Sequence, residues 1–166
     1  MKSIQKLVLL AGLGCFVFAC SPSPDQKNSE NVKLVEGYVN AVEAMDFEAM
    51  SNYLDENYLG MGPSYGDSIT KAQAVESWKY NIENLYEKIE YTKSKFAAVT
   101  IPDGDAKGEW VANWAELTIT YKDGNSVKLL ANSNYKVENG KIVQSITFYN
   151  EADALRQLGY GFVPME

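Results

Sequence analysis

The sequence contains no histidine, and both of its cysteines lie within the first 20 residues. The lack of histidine removes the commonest general base and the commonest metal ligand. Lysines and arginines form no run and the formal net charge is −7, so neither nucleic acid nor anionic lipid headgroups are expected partners. No disulfide is expected in the mature domain. These absences predict no metal, no cofactor, and a function that leans away from catalysis.

The first 19 residues resemble a bacterial lipoprotein signal peptide. Two lysines precede an apolar run over residues 7–18, which is too short to span a bilayer comfortably. The run ends in Val17-Phe18-Ala19-Cys20, where Phe18 is bulkier than is usual for such a site. The resemblance implies cleavage before Cys20 and its acylation, for example with palmitate, and several acyl chains hold a protein stably on a membrane. An ordinary cleaved signal peptide is the alternative.

The remaining chain divides into a short tether, one domain and a tail. Residues 20–30 are polar and contain proline, so we predict an acylated cysteine followed by a flexible tether. Residues 31–158 form one domain with a real hydrophobic core, and residues 159–166 form a C-terminal tail. This order predicts a protein anchored by lipid in the bacterial cell envelope, on the periplasmic or the surface side.

Helical periodicity and capping residues predict four helices. Valines at helical spacing predict a first helix over residues 31–45, and Asp46 can cap a short helix over 47–54. Thr70-Lys71-Ala72-Gln73 is a capping box that opens the longest helix. A last helix is predicted over residues 152–158.

Three strand-like runs between Glu109 and Asn150 are joined by two tight turns, at residues 122–125 and 138–141. Asp-Gly and Asn-Gly in these turns are strong hairpin signals because both pairs tolerate positive φ. If both loops have three residues, the odd-numbered positions share one face; two-residue turns would break this register. The predicted rows on that face are Asn113 beside Ser133 and Ser145, Ala115 beside Ala131 and Thr147, and Leu117 beside Leu129 and Tyr149. On the other face they are Trp114 beside Asn132 and Ile146, and Glu116 beside Leu130 and Phe148.

The element order and three sequence stretches resemble the nuclear transport factor 2-like superfamily, which includes SnoaL-like polyketide cyclases, ketosteroid isomerases and scytalone dehydratases. The stretches lie at residues 34–47, 74–78 and 135–143. The resemblance implies an α+β cone-shaped roll, with the helices packed on the concave face of a strongly bent antiparallel sheet. It also implies a pocket between the helices and the sheet, and a convex face that often forms a dimer.

The catalytic residues of these enzymes carry over poorly. Tyr38 falls at the pocket tyrosine of ketosteroid isomerases, but Gly62 stands near their general base and Ser133 stands where they have a hydrogen-bonding acid. Scytalone dehydratases depend on histidines, which this chain lacks. Asp67, near the predicted pocket mouth, is the one carboxylate to consider, although a turn residue is the simpler interpretation. An isomerase, cyclase or dehydratase that uses Tyr38 and Asp67 is therefore an alternative.

The favoured prediction is a domain that binds a small, largely apolar ligand or an envelope partner and does no chemistry. Its predicted ligand-binding residues are Tyr38, Trp78, Asn113, Ser133, Ser145, Thr147 and Tyr149. The predicted homodimer face carries Trp114, Leu130, Ile146 and Phe148, because monomers seldom expose such apolar patches. A purely structural dimer whose cavity is filled by its own side chains is the second alternative.

Overall fold

The structure, a computed structural model, describes residues 23–163. The predicted signal peptide and Cys20 lie outside the described residues. Within residues 23–163, no helix is long and apolar enough to cross a membrane.

The first helix, α1, runs from Pro24 to Glu43 and begins earlier than predicted. The side chain of Ser23 accepts a hydrogen bond from the backbone N–H of Gln26 at 3.2 Å, and Pro24 follows directly. Proline is favoured at the first helical position because its missing N–H would have no partner there. Residues 24–30, which we predicted as flexible tether, are therefore helical.

Three further elements lead from α1 to the long strands. Helix α2 (Phe47–Tyr53) is capped by Asp46, whose carboxylate accepts the N–H of Ala49 at 2.9 Å. Strands β1 (Leu54–Met61) and β2 (Ser68–Thr70) form a hairpin. Helix α3 (Lys71–Asn84) opens with the predicted capping box of Thr70 and Gln73.

The sheet is completed by four long strands and carries a last helix at its end. The bounds are β3 (Tyr86–Ile101), β4 (Gly108–Tyr121), β5 (Ser126–Glu138), β6 (Lys141–Phe148) and α4 (Glu151–Gln157). The strand order is β2-β1-β6-β5-β4-β3. Strand β1 pairs with β6 in parallel and all other neighbours are antiparallel, so the sheet is mixed and the expectation of a wholly antiparallel sheet was wrong.

The two hairpin turns differ, and this shifts part of the predicted register. Between β4 and β5 the loop has three residues, and Asn113 lies opposite Ser133 as predicted. Between β5 and β6 the turn has only two residues, since Glu138 pairs with Lys141. A bulge then displaces β6, so that Ser133 lies opposite Thr147 rather than Ser145.

The bulge moves the β5 partners of Ser145, Ile146, Thr147 and Phe148 by two residues from those predicted, but it preserves the faces. A two-residue turn alone would turn every side chain of β6 to the other face of the sheet. The extra residue in the bulge turns them back, so each β6 side chain lies on the face that was predicted for it. Tyr135 therefore lies opposite Ser145, and Phe148 opposite Asn132. Both serines remain on the buried side of the sheet, with relative exposures of 7% for Ser133 and 6% for Ser145.

The core lies between the helices and one face of the sheet. Helix α1 contributes a buried stripe of Val35, Tyr38, Val39 and Val42, which packs against buried Val111, Tyr135 and Val137 of the sheet. Gly37 lies on the side of α1 where α2 packs. A side chain at this position would collide with the ring of Tyr53.

Candidate functional site

The buried face of the sheet carries the polar row that the sequence predicted, with one member exchanged. Asn113, Ser133 and Thr147 lie side by side on β4, β5 and β6. The hydroxyl oxygens of Ser133 and Thr147 are 3.0 Å apart and form a hydrogen bond. These two hydroxyls therefore satisfy each other within the fold.

Ser145 belongs to a second polar pair, with a partner that the sequence reasoning did not identify. Its hydroxyl lies 2.6 Å from the phenol oxygen of Tyr58, and both side chains are buried. Tyr58 is on β1, which pairs with β6 in parallel. The two partners are 87 positions apart in the sequence and meet through an unexpected parallel pairing, so no local signal predicts this contact.

Three buried tyrosines surround this polar face. The ring of Tyr38 packs edge-to-face against Tyr53, with centroids 6.2 Å apart, and against Tyr135, with centroids 5.6 Å apart. Burial raises the pKa of the phenols of Tyr38 and Tyr135 well above the usual value. Burial also raises the pKa of Tyr58, and the hydrogen bond from Ser145 offsets part of that rise. All three phenols are neutral at physiological pH, so they can donate or accept hydrogen bonds but cannot act as general bases.

Asn113 is the polar residue of this face that the described chain leaves incomplete. Its side chain is 2% exposed, and its amide nitrogen Nδ2 has no hydrogen-bond partner among residues 23–163. A buried donor without a partner is unfavourable by about 1–3 kcal/mol. The amide is the one place on this face where an acceptor, from water or a ligand, would relieve such a penalty.

The other predicted site residues are dispersed. Trp78 is half-buried on α3 and packs against the core. Tyr149 lies just past β6, where it lines the groove described below, and its phenol is close enough to those of Tyr86 and Tyr121 for these phenols to affect one another's pKa. Asp67 is exposed in the β1–β2 loop, where its backbone carbonyl accepts the N–H of Gly62 at 3.2 Å. The loop geometry matches the simpler interpretation of Asp67 as a turn residue, and nothing in the described residues brings its carboxylate to Tyr38.

A groove of about 910 Å³ lies across the outer face of the sheet, on the side away from the helices. Three of its apolar residues were predicted to lie on one face, and their relative exposures are 48% for Trp114, 79% for Leu130 and 55% for Phe148. We call this surface the outer groove. It is lined by Lys93, Ser94, Lys95, Trp114, Ala115, Glu116, Leu130, Ala131, Asn132, Phe148, Tyr149 and Asn150.

The outer face is open at the groove and closed beyond it. Trp110 also points outward, yet it is 7% exposed, and its indole N–H donates to the carbonyl of Ala106 in the β3–β4 loop at 2.7 Å. Ile146, the fourth predicted residue of the dimer face, is half-buried and does not line the groove. The exposed apolar residues that line the groove are therefore Trp114, Leu130 and Phe148, whereas Val99 on β3 is exposed outside it.

Comparisons with known proteins agree on the fold. No protein-family profile and no curated protein sequence matches the chain. Solved structures do match: a candidate polyketide cyclase from Xanthomonas campestris pv. campestris is 16% identical, covers 79% of this chain and 98% of its own, and superposes with a TM-score of 0.66. An LEH-like epoxide hydrolase from M. tuberculosis is 14% identical, with coverages of 80% and 91% and a TM-score of 0.63.

A third match carries the name of the fold itself. An NTF2-like protein from Burkholderia xenovorans LB400 is 16% identical, with coverages of 78% and 96% and a TM-score of 0.61. The described domain therefore has the α+β nuclear transport factor 2-like fold, which the sequence predicted. These identities support the fold alone, because one fold hosts many unrelated functions.

Proposed function

We propose that the chain is a lipid-anchored protein of the bacterial cell envelope that acts by binding rather than by chemistry, and that the outer groove is its binding surface. The observation that carries the proposal is the groove itself, in which Trp114, Leu130 and Phe148 are exposed together. The buried polar face supports the same conclusion. Its two hydroxyl pairs are internally bonded and its phenols are neutral, so it offers no base for proton abstraction.

The occupant of the outer groove is a second copy of this chain. An apolar patch of this kind is seldom left in water, and a two-fold axis lets one patch serve both subunits. Charge at the two ends supports this pairing. Lys95 lies at the β3 end, next to Lys93, whose ammonium is paired with Glu116 of the same chain at 2.6 Å, whereas Glu151 follows Asn150 at the β6 end. A two-fold axis through the middle of the groove brings the basic end of one copy to the acidic end of the other.

The test is the oligomeric state of the mature chain with Cys20 replaced by serine, so that no acyl chain contributes to association. Leu130→Asp is the best variant, because Leu130 is 79% exposed and its replacement leaves the core intact. We expect the parent chain to be a dimer by analytical ultracentrifugation and Leu130→Asp to be a monomer. Val99→Asp is the control, since Val99 is 51% exposed on β3 but lies outside the groove.

Two outcomes would contradict the pairing. A parent chain that is monomeric at high micromolar concentration leaves the groove uncovered, and the proposed occupant is then wrong. If Val99→Asp dissociates the dimer as completely as Leu130→Asp does, the interface lies elsewhere on the sheet.

The lipid anchor has its own test. In the full-length chain, Cys20→Ser should leave the precursor unprocessed or release the protein from the membrane fraction, because the thiol is the proposed acylation site. Immunoblotting of fractionated cells measures both results. Unchanged processing together with unchanged membrane partitioning would refute the anchor.

A small, largely apolar ligand on the helix side of the sheet is the second candidate, and the amide of Asn113 is the observation that favours it. Native mass spectrometry of the mature chain should then detect a bound small molecule, and Asn113→Leu should lose it. If the parent chain has the mass of the protein alone, the result supports the alternative in which the protein's own side chains fill the interior.

A further inference from the structure

A separate cleft of about 340 Å³ lies between α1 and β3, on the helix side of the sheet. Glu36, Asn40 and Glu43 are spaced by four and three residues, so they project from one face of α1 toward the cleft. We call this cavity the α1–β3 cleft. It is lined by Glu36, Val39, Asn40, Glu43, Tyr91, Ser94 and Phe96.

The cleft carries negative charge without a cation to balance it. No lysine or arginine lines it, and none of the ion pairs among residues 23–163 involves Glu36 or Glu43. At a rise of 1.5 Å per residue, seven residues place the two carboxylates about 10 Å apart along the helix axis. A cation between them would lie within about 5 Å of each, at a distance where Coulomb attraction is strong in a partly enclosed site.

Glu43 is held in position by the opposite wall. Its Oε1 accepts the backbone N–H of Tyr91 at 2.6 Å, and the side chain is half-buried. Its second oxygen, Oε2, accepts no hydrogen bond from the described residues and remains available to a ligand. The carboxylate is therefore fixed before any ligand arrives, which lowers the entropy lost on binding.

Two aromatic rings complete the lining. Tyr91 and Phe96 lie on the β3 wall, and Val39 adds apolar surface from α1. Burial and the nearby charge of Glu43 raise the pKa of Tyr91 to about 12, so the phenol is neutral and its ring keeps its electron-rich face. Aromatic faces attract cations, and quaternary ammonium groups are a common ligand of such surfaces.

We propose that the α1–β3 cleft binds a small organic cation of the alkylammonium class. Carboxylates compensate its charge, the rings and Val39 cover its alkyl groups, and the side chains of Asn40 and Ser94 can take a polar substituent. The volume of about 340 Å³ is enough to hold a molecule of the size of choline. The acidic chain, with a formal net charge of −7, also favours the approach of a cation.

The experiment uses choline and its uncharged carbon isostere, 3,3-dimethylbutan-1-ol, as probes of nearly equal shape. Titration of the mature chain bearing Cys20→Ser, followed by NMR shifts, should show choline binding at least tenfold more tightly than the alcohol. Glu43→Gln and Glu36→Gln should each weaken choline at least fivefold and leave the alcohol unchanged. Phe96→Leu should weaken choline about threefold.

Glu48→Gln is the matched control, because it removes the same charge from an exposed position on α2 that does not line the cleft. It should leave choline binding within twofold of the parent. The proposal is wrong if neither probe shifts the residues of the cleft, if both bind equally, or if Glu48→Gln weakens choline as much as Glu43→Gln. Thermal melting of each variant confirms that its fold is retained.

This inference does not depend on the outer groove. The two cavities share only Ser94, and they lie on opposite sides of the sheet. A monomeric parent chain that binds choline refutes the pairing and supports the cleft. A dimeric parent chain that does not bind choline supports the pairing and refutes the cleft proposal.

Discussion

Replacing Asn113 with leucine tests whether the interior beneath α1 is a closed core or a polar site. The two side chains branch at the same carbon, so the substitution exchanges an amide for two methyl groups with little change in shape. The amide nitrogen has no partner among the described residues, and leaving it buried is unfavourable by about 1–3 kcal/mol. Overpacking by the larger methyl groups offsets about 1 kcal/mol of the gain. We therefore expect Asn113→Leu to raise the free energy of unfolding by up to about 2 kcal/mol.

The measurement is equilibrium unfolding in urea, with the slope m compared to ensure that both chains unfold from equally compact states. Asn132→Leu is the matched control on the opposite face. The Asn132 side chain donates to the carbonyl of Asn113 at 3.4 Å and accepts from the Nδ2 of Asn134 at 2.8 Å. Its loss should lower stability by about 1 kcal/mol. If Asn113→Leu lowers stability as well, water or a ligand satisfies the amide in solution, and the reasoning for a closed core fails.

Three further predictions concern the interior and α1. Ser133→Ala should lower the free energy of unfolding in urea by no more than about 1 kcal/mol, because half-buried Thr147 can replace the lost bond with water; a larger loss would mean that the pair is sealed. Gly37→Ala should lower stability by about 1 kcal/mol in the parent chain, since overpacking against Tyr53 outweighs the better helix propensity of alanine. In a Tyr53→Leu background the same change should be neutral or stabilising; an equal loss in both backgrounds would exclude that contact as the cause. The raised pKa of Tyr91, about 12 against an ordinary 10, contributes stability that is complete below pH 10 and is lost as the pH rises through 12. Tyr91→Phe should flatten the fall of the urea midpoint between pH 10 and 12, and an unchanged fall would assign that sensitivity to other tyrosines.

Local signals predicted most of the secondary structure and the face of the sheet on which each strand residue lies. The capping box at Thr70, the cap at Asp46 and the positive-φ turns are short-range features, and each appears where the sequence predicts it. The alternation along β4 and β5 placed Asn113 opposite Ser133, because the three-residue loop before β5 was inferred correctly. These features depend on residues that are close in the chain.

The features that escaped prediction depend on long-range packing or on compensating irregularities. The bulge in β6 has no local signature, and it changed the partners of Ser145 and Thr147 while it kept their faces. The pair of Tyr58 and Ser145 requires knowledge of the parallel β1–β6 contact. The predicted ligand-binding residues were expected to line one cavity. The structure instead has internally bonded hydroxyls on one side of the sheet and an open groove on the other.

The parallel pairing of β1 with β6 also constrains the order in which the domain can form. Strand β1 has only the three-residue β2 as its other neighbour, so most of its ladder forms only once β6, the last of the strands within residues 23–163, has been synthesised. Until residues 141–148 emerge, β1 has an open edge that can pair with other chains. Contacts over such sequence separations also slow folding, since a long loop must close before they form. A chain cut off before β6 thus lacks more than one strand, because β1 loses its place in the sheet with it.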